Sequence, residues 1–387
     1  MRLIFTLIIG FLFIDSIGAQ QIKLSPNAEI SILTVGPGRS LNDAFGHNAF
    51  RIKDKSRGID VTYGYGEYDF GAPNFYLKFA RGKLNYLISR HNYSDFYNHY
   101  VYYNRTVKEQ VLNLSTNEKQ DLFDYLENNY KPENRRYLYD FFYDNCATRI
   151  RDVSQAVTKS SITFNSPEGF EQKTFRELIY EHVDKNTWGS FGIDLALGSV
   201  IDQNATPDEH MFLPKYINSF FENATKNGAE GLVKQSSTVY EKKAEEDSSI
   251  FLLSPLFINS LLAFIIIIIT YRDSKNKSRS KWLDVTLFST TSLIGILLFL
   301  LWFATDHSAT ANNYNLLWAF PLNFILISQL TKNTMKNWVK GYLKFLIIML
   351  CLLTLHWLIG VQVFAIALIP LLIAMFIRYL YLVKNFN

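Results

Sequence analysis

Cysteine is almost absent: Cys146 and Cys351 are the two thiols of a 387-residue chain. Cys351 lies inside an apolar run and reads as a small packing residue. Cys146 is left without a partner in the polar part of the chain, which excludes a disulfide framework. Long basic runs are missing from that part and the net charge is only +4, so nucleic acid is excluded as a partner. His91 and His99 stand eight residues apart, a spacing that fits no metal motif. No internal repeat is visible. No metal or soluble cofactor is implied.

What is present is unevenly spread. The mean hydropathy of +0.01 averages a polar, aromatic-rich first two-thirds with a last third made mostly of Leu, Ile, Phe and Val. At the start, Arg2 precedes an apolar run over 3–14 and the small residues Ser16, Gly18 and Ala19. This predicts a secretory signal over 1–19, too short to span a bilayer. No Cys follows it, which excludes lipidation of this chain itself. Five apolar segments predict membrane spans at 250–271, 282–304, 314–330, 345–359 and 361–383. Pro255, Pro321 and Pro370 interrupt them, as membrane helices tolerate.

Charge in the loops sets the orientation. Arg272, Lys275, Lys277, Arg279 and Lys281 cluster after the first span; Lys332, Lys336, Lys340 and Lys344 follow the third. The loop 305–313 carries no Lys or Arg. Basic loops stay in the cytoplasm. The C-terminus is then cytoplasmic and residues 20–249 lie outside, as the signal requires.

Residues 20–235 are expected to form one exported domain, 236–249 a linker and 250–387 the membrane domain. Periodicity predicts strands at 29–35, 44–53, 59–67 and 105–114, with a turn at 55–58. It predicts helices at 72–81, 93–98, 116–129 and 147–158, and a loop-like stretch at 199–214. The fold class is α+β: a small antiparallel sheet with helices packed on it, followed by an all-α membrane bundle of about five transmembrane helices. Residues 76–88 mix aromatics with Lys78, Arg81 and Lys83. They read either as a membrane-facing lip or as an ordinary core helix.

Two motifs carry chemistry. Phe45-Gly46-His47 lies on the second strand, and Asp144-Asn145-Cys146-Ala147 starts a helix. A Cys at a helix start has its thiolate favoured by free N–H groups and the helix dipole, with Asp144 or Asn145 as the cap. A His on a neighbouring strand takes the thiol proton, and N–H groups at the helix start hold an oxyanion. These are the parts of a cysteine acyl-transfer site. The other reading leaves Cys146 buried and inert in a membrane scaffold. Arg149 and Arg151 are candidates for a lipid phosphate or for surface ion pairs.

In placing Phe45-Gly46-His47 about 100 residues before Asp144-Asn145-Cys146-Ala147, the chain resembles circularly permuted papain-like proteins. The lecithin:retinol acyltransferase group is their acyl-transferring branch. NlpC-type peptidases are the unpermuted hydrolases. Three further motifs are Tyr65-Gly66-Glu67-Tyr68-Asp69-Phe70, Pro73-Asn74-Phe75-Tyr76-Leu77-Lys78-Phe79 and Tyr139-Asp140-Phe141-Phe142-Tyr143. With these, the chain looks like the Lnb family of lipoprotein N-acyltransferases from Bacteroides-type bacteria. That resemblance implies an inner-membrane enzyme with Cys146 as nucleophile and His47 as its base. It also implies a membrane lipid as acyl donor and a diacylated lipoprotein as acceptor. Papain-like sites orient the His with a polar residue on the next strand. Tyr63, Tyr65 and Glu67 share one face there by alternation, and Tyr65 and Glu67 are the candidates. A cell-wall cysteine amidase or peptidase is the second enzymatic reading.

Overall fold

A computed structural model describes residues 22–158, 161–244 and 250–385. The expected signal segment lies outside the described residues.

Strand β1 (Glu29–Val35) is followed by a hairpin of β2 (His47–Asp54) and β3 (Ile59–Tyr68). Asp54 accepts from the Ser56 N–H and Gly58 closes the turn at φ 66°, which makes residues 55–58 a tight reversal. Helix α1 (Phe75–Ala80) leads into β4 (Asn85–Asn92), and α2 (Tyr93–Tyr102) into β5 (Val107–Leu112). Ser115 and Glu118 form a capping box that starts α3 (Thr116–Tyr130). Strand β6 (Arg136–Leu138) precedes α4 (Cys146–Val157). Then come α5 (Phe175–Tyr180), α6 (Trp188–Ala196), α7 (Pro214–Glu222) and β7 (Val233–Tyr240). The strands form one antiparallel sheet in the order β7-β5-β1-β2-β3-β4-β6.

The sheet is covered on both faces. Ile30, Ile32, Phe50, Ile52, Tyr63 and Tyr65 point into the main core, against Leu122 and Phe123 of α3, Ile150 and Val153 of α4, and Phe220 of α7. Leu33, Val35 and Ala49 point the other way, against Phe96 and Tyr100 of α2. The α+β expectation holds, with a larger sheet than expected. Strand β4 was not expected: the aromatic, basic run 76–88 splits at Gly82 into the end of α1 and the start of β4. Strand β7 takes in residues 236–240, expected as linker, because Ser236 and Thr238 pair with Gln110 and Lys108. Its side chains are mostly exposed, so they carry no hydrophobic alternation.

Four helices are long and apolar enough to cross a membrane among the described residues. They are α8 (Pro255–Lys275), α9 (Lys281–Phe303), α11 (Asn337–Leu358) and Ile366–Lys384, a 3-10 turn running into α12 (Ile369–Lys384), with the short α10 (Phe324–Leu330) between α9 and α11. The expected span 314–330 is not one helix. It traverses the bundle as two 3-10 turns, Tyr314–Leu317 and Pro321–Asn323, followed by α10. Non-helical backbone at membrane depth must be satisfied by protein. Here Ser292 donates to the Pro321 carbonyl at 2.6 Å and Asn323 to Thr291 at 2.9 Å. Helix α9 approaches closely through Gly295, where a Cβ would stand 2.0 Å from the Ala319 carbonyl oxygen. Helix α11 starts at residue 337, inside the basic stretch read as a loop.

The bundle is seated on the N-terminal domain at one end. Gly198 and Ser199 donate to the carbonyls of Ala309 and Asn312 at 2.9 and 3.0 Å. Asn313 donates to Leu195 O and Asn315 to Asp194 O, at 2.7 and 2.8 Å. Trp188 donates to Leu253 O at 2.8 Å. Beneath this seat, buried Arg176 holds Asp194 and Asp202 at 2.8 and 2.7 Å. At the far end, buried Arg378 holds Asp273 and Asp284, both at 2.7 Å.

Candidate active site

Helix α4 begins at Cys146 because Asn145 caps it. The Asn145 side-chain oxygen accepts from the Ala147 and Thr148 N–H groups at 2.7 and 2.9 Å. Its amide nitrogen donates to Phe141 O at 2.7 Å and Phe212 O at 2.8 Å. The cap therefore also fastens the loop before the helix and the segment before α7. Asp144 is not the cap; it pairs with Arg149. The loop closes through paired backbone bonds between Asp140 and Asp144, at 3.0 and 3.1 Å.

The β2–β3 ladder ends at Ala49 opposite Gly64. Helix α4 packs on β2, and one residue beyond that end the Asn48 N–H favours the Cys146 thiolate. The N–H groups of Cys146 and Ala147, at the helix start, act in the same sense. Burial pushes the Cys146 thiol pKa up; these N–H groups and the Arg105 guanidinium pull it down, and burial prevails.

His47 immediately precedes Asn48. Gly46, at φ 84°, lies so close to β1 that a Cβ would stand 2.6 Å from Val35 O. Glycine there fixes where β2 starts, and hence where the imidazole sits. The ring lies beside Gly64, where a Cβ would be 3.0 Å from Nε2, and faces Tyr100 with centroids 6.4 Å apart. Burial lowers the His47 pKa to about 4, aided by Arg105, His91 and His99 and opposed by Asp43. The helix that begins at Cys146 thus packs on the strand that begins at His47.

The two candidates for a third member part company. Tyr65 is buried on the core face and donates to Asn129 at 2.7 Å. Glu67 is exposed and lies 3.9 Å from His91. Alternation placed them on one face. The bulge at Gly66, φ 98°, adds a residue to β3, so Tyr65 pairs with Ile88 and Glu67 with Leu87. Glu67 is thereby turned to the face that carries His47.

Sequence reading missed Tyr100, Arg105 and Asp43. Arg105 is buried, donates to Gly36 O at 2.9 Å and to Asp43 at 3.3 Å, and lies 4.9 Å over the Tyr100 ring. The four-residue spacing of Phe96 and Tyr100 was a usable signal for one face of α2; nothing local marked Arg105. Of the two readings of Arg149 and Arg151, the structure shows ion pairs: Arg149 pairs with Asp144 and lies over Tyr137, and Arg151 pairs with Asp152 and donates to Asp208 O. Among the described residues, no group of three or more His, Cys, Asp or Glu side chains is placed to hold a metal ion.

Residues 19–180 match the Lnb N-terminal periplasmic domain, and residues 245–386 match the Lnb transmembrane domain. The chain belongs to the Lnb family. No curated protein and no solved structure matches it. The first Lnb match contains both β2 and the start of α4, and the second covers α8 to α12. The protein is an inner-membrane protein whose N-terminal domain is periplasmic.

Proposed function

We propose that this protein is a lipoprotein N-acyltransferase that works through a Cys146 thioester at the periplasmic face of the inner membrane. The observation that carries the reading is that Asn145 caps α4 at Cys146 while α4 packs on β2, the strand that begins at His47. In the first half-reaction the sulfur attacks the ester carbonyl of a membrane lipid. A C–S bond forms, and His47 takes the thiol proton. The N–H groups of Asn48 and Cys146 hold the oxyanion in this reading. The C–O bond then breaks, and the lipid alkoxide leaves with the proton from His47. In the second half, the terminal α-amine of a diacylated lipoprotein attacks the thioester. The C–N bond forms, the C–S bond breaks, and the amine proton passes through His47 back to sulfur.

Membrane proximity supports a lipid donor. Ser308 donates to Asp140, in the thiol loop, at 2.8 Å. Ser308 is five residues beyond the end of α9, so the loop lies within about 18 Å of where that helix leaves the bilayer. The C-terminus is cytoplasmic in this reading, because Lys384 ends the bundle opposite the N-terminal domain.

The test is Cys146→Ser in cells, with lipoprotein N-termini read by mass spectrometry. Loss of the N-acyl chain is expected. Unchanged N-acylation in a strain lacking any other such enzyme defeats the proposal. Release of muropeptides by the purified protein would favour a cell-wall amidase.

A further inference from the structure

A chain of aromatic rings runs from the membrane-facing side of the domain to the thiol loop. It begins at α1 and the turn before it. There Phe70 and Tyr76 are 76% and 84% exposed, and Leu77 and Phe79 are also open to solvent. Four large apolar side chains bared on one short segment are abnormal for a surface in water.

The position of this segment says what covers it. Residues 81–83, just after α1, are seated on the loop that leaves α9. The Asp306 N–H donates to Arg81 O at 2.9 Å, and Lys83 pairs with Asp306 at 3.4 Å. Gly82 lies so close that a Cβ would stand 3.1 Å from the backbone of Asp306 and His307. Asp306 is three residues past Phe303, the last residue of α9, or at most about 11 Å along the chain. Phe303 and Leu300 are exposed on the lipid side of that helix. The bared face of α1 therefore continues the lipid-facing surface of the bundle. Lys78 and Arg81 beside it suit phosphate headgroups.

From α1 the rings lead inward. Phe75 contacts Tyr68, Tyr68 contacts Tyr86, and Tyr86 stacks on Tyr139, with centroids 6.1, 4.9 and 4.3 Å apart. Tyr139 immediately precedes the loop closed by Asp140 and Asp144. That closure brings the two ends of the loop together, so Tyr139 leads into one end of it and Asn145, the residue before Cys146, leaves the other.

We infer that α1 dips into the outer leaflet of the inner membrane, and that the ladder from Phe75 through Tyr68 and Tyr86 to Tyr139 conducts a phospholipid acyl ester from that leaflet to Cys146. The conduction half rests on the acyltransferase reading above. The insertion half does not.

Two measurements separate them. For insertion, Leu77→Cys is labelled with an environment-sensitive fluorophore in full-length protein carrying Cys146→Ser and Cys351→Ala. The protein is reconstituted in phosphatidylethanolamine–phosphatidylglycerol vesicles containing lipids with a nitroxide near the glycerol end of the chain. Quenching at residue 77 is expected, with none for the same label at Lys55→Cys, at the opposite end of the β2–β3 hairpin. Equal quenching at both positions, or none at residue 77, overturns the insertion.

For conduction, the Cys146 thioester is measured by mass spectrometry in wild type and in Leu77→Asp/Phe79→Asp. The donor is either the same vesicles or water-soluble p-nitrophenyl butyrate. The variant should form thioester about tenfold more slowly from vesicles and at the wild-type rate from the soluble ester. Slowing with both donors alike, or with neither, overturns the route. If wild-type protein forms no thioester with either donor, the acyltransferase reading fails instead, while the quenching result still decides insertion.

Discussion

Asn145 makes four hydrogen bonds from a side chain that is only 3% exposed, two from each end of one amide. Replacing it with Asp separates those two ends. The carboxylate still accepts from the Ala147 and Thr148 N–H groups, so the helix cap survives. The donors to Phe141 O and Phe212 O are lost, and a negative charge faces two buried carbonyls. Each stranded carbonyl costs about 1–3 kcal/mol, so the expected destabilisation is about 4 kcal/mol. For a domain of this size each kcal/mol shifts the midpoint by roughly 2–4 °C, giving a fall of about 10 °C. Asn145→Ala loses the cap as well, for about 1 kcal/mol more. The assay is thermal unfolding of the detergent-solubilised protein, followed by near-UV circular dichroism. Asn145→Asp must also slow alkylation of Cys146 by iodoacetamide, because a carboxylate beside the sulfur opposes the thiolate. If Asn145→Asp melts within about 2 °C of wild type, the amide is not what holds the thiol helix in place, and the reasoning fails.

Further expectations concern pH, the broken span and the domain seat. With His47 lowered to about 4 and the Cys146 thiol raised, the pair is neutral at pH 7, and alkylation should climb only through the alkaline range. A plateau reaching down into acid would mean a thiolate–imidazolium pair and would refute this. The same His47 shift makes the unfolded chain bind a proton that the folded one refuses between pH 6.5 and about 4. Stability should therefore fall as pH drops through that window, and the fall should be smaller in His47→Gln. Gly295→Ala puts a Cβ against the Ala319 carbonyl and should cost the bundle about 3 kcal/mol or more, read as a lower melting point in detergent; Leu293→Ala, facing lipid, is the control. Arg176→Met strands the buried Asp194 and Asp202 and should cost about 3–5 kcal/mol. It should also speed hydrogen exchange in residues 304–313, which the Asp194 segment supports; unchanged exchange there would separate the network from the domain seat.

Some of this was legible along the chain because it is local. Strand β1 and the hairpin show their alternation, Ser115 and Asn145 announce the helices they cap, and hydrocarbon length marks the long spans. Phe45-Gly46-His47 and Asp144-Asn145-Cys146 could be singled out as chemistry-bearing for the same reason. The relation between them could not be read, because it depends on which backbone groups the sheet leaves unpaired. Asn48 meets Cys146 one residue beyond the end of the β2–β3 ladder, and the helix that carries the thiol comes about 100 residues later in the chain.

Glu67 shows the limit most sharply. Period-two alternation put it beside Tyr65, and one bulged glycine turned it to the opposite face. The broken crossing at 314–330 is the membrane counterpart. Its apolar composition made it a span, but Ser292, Thr291 and Gly295 on α9, with Gln362 at the Tyr314 N–H, let its backbone stop being helical. Composition and period thus marked β1, β2, β3, β5 and the long crossings, each of which buries a local face, but not β4, β6 or β7. Where a sulfur, an imidazole and a membrane surface come to lie together was set by backbone pairing between distant segments, and no local pattern encodes that.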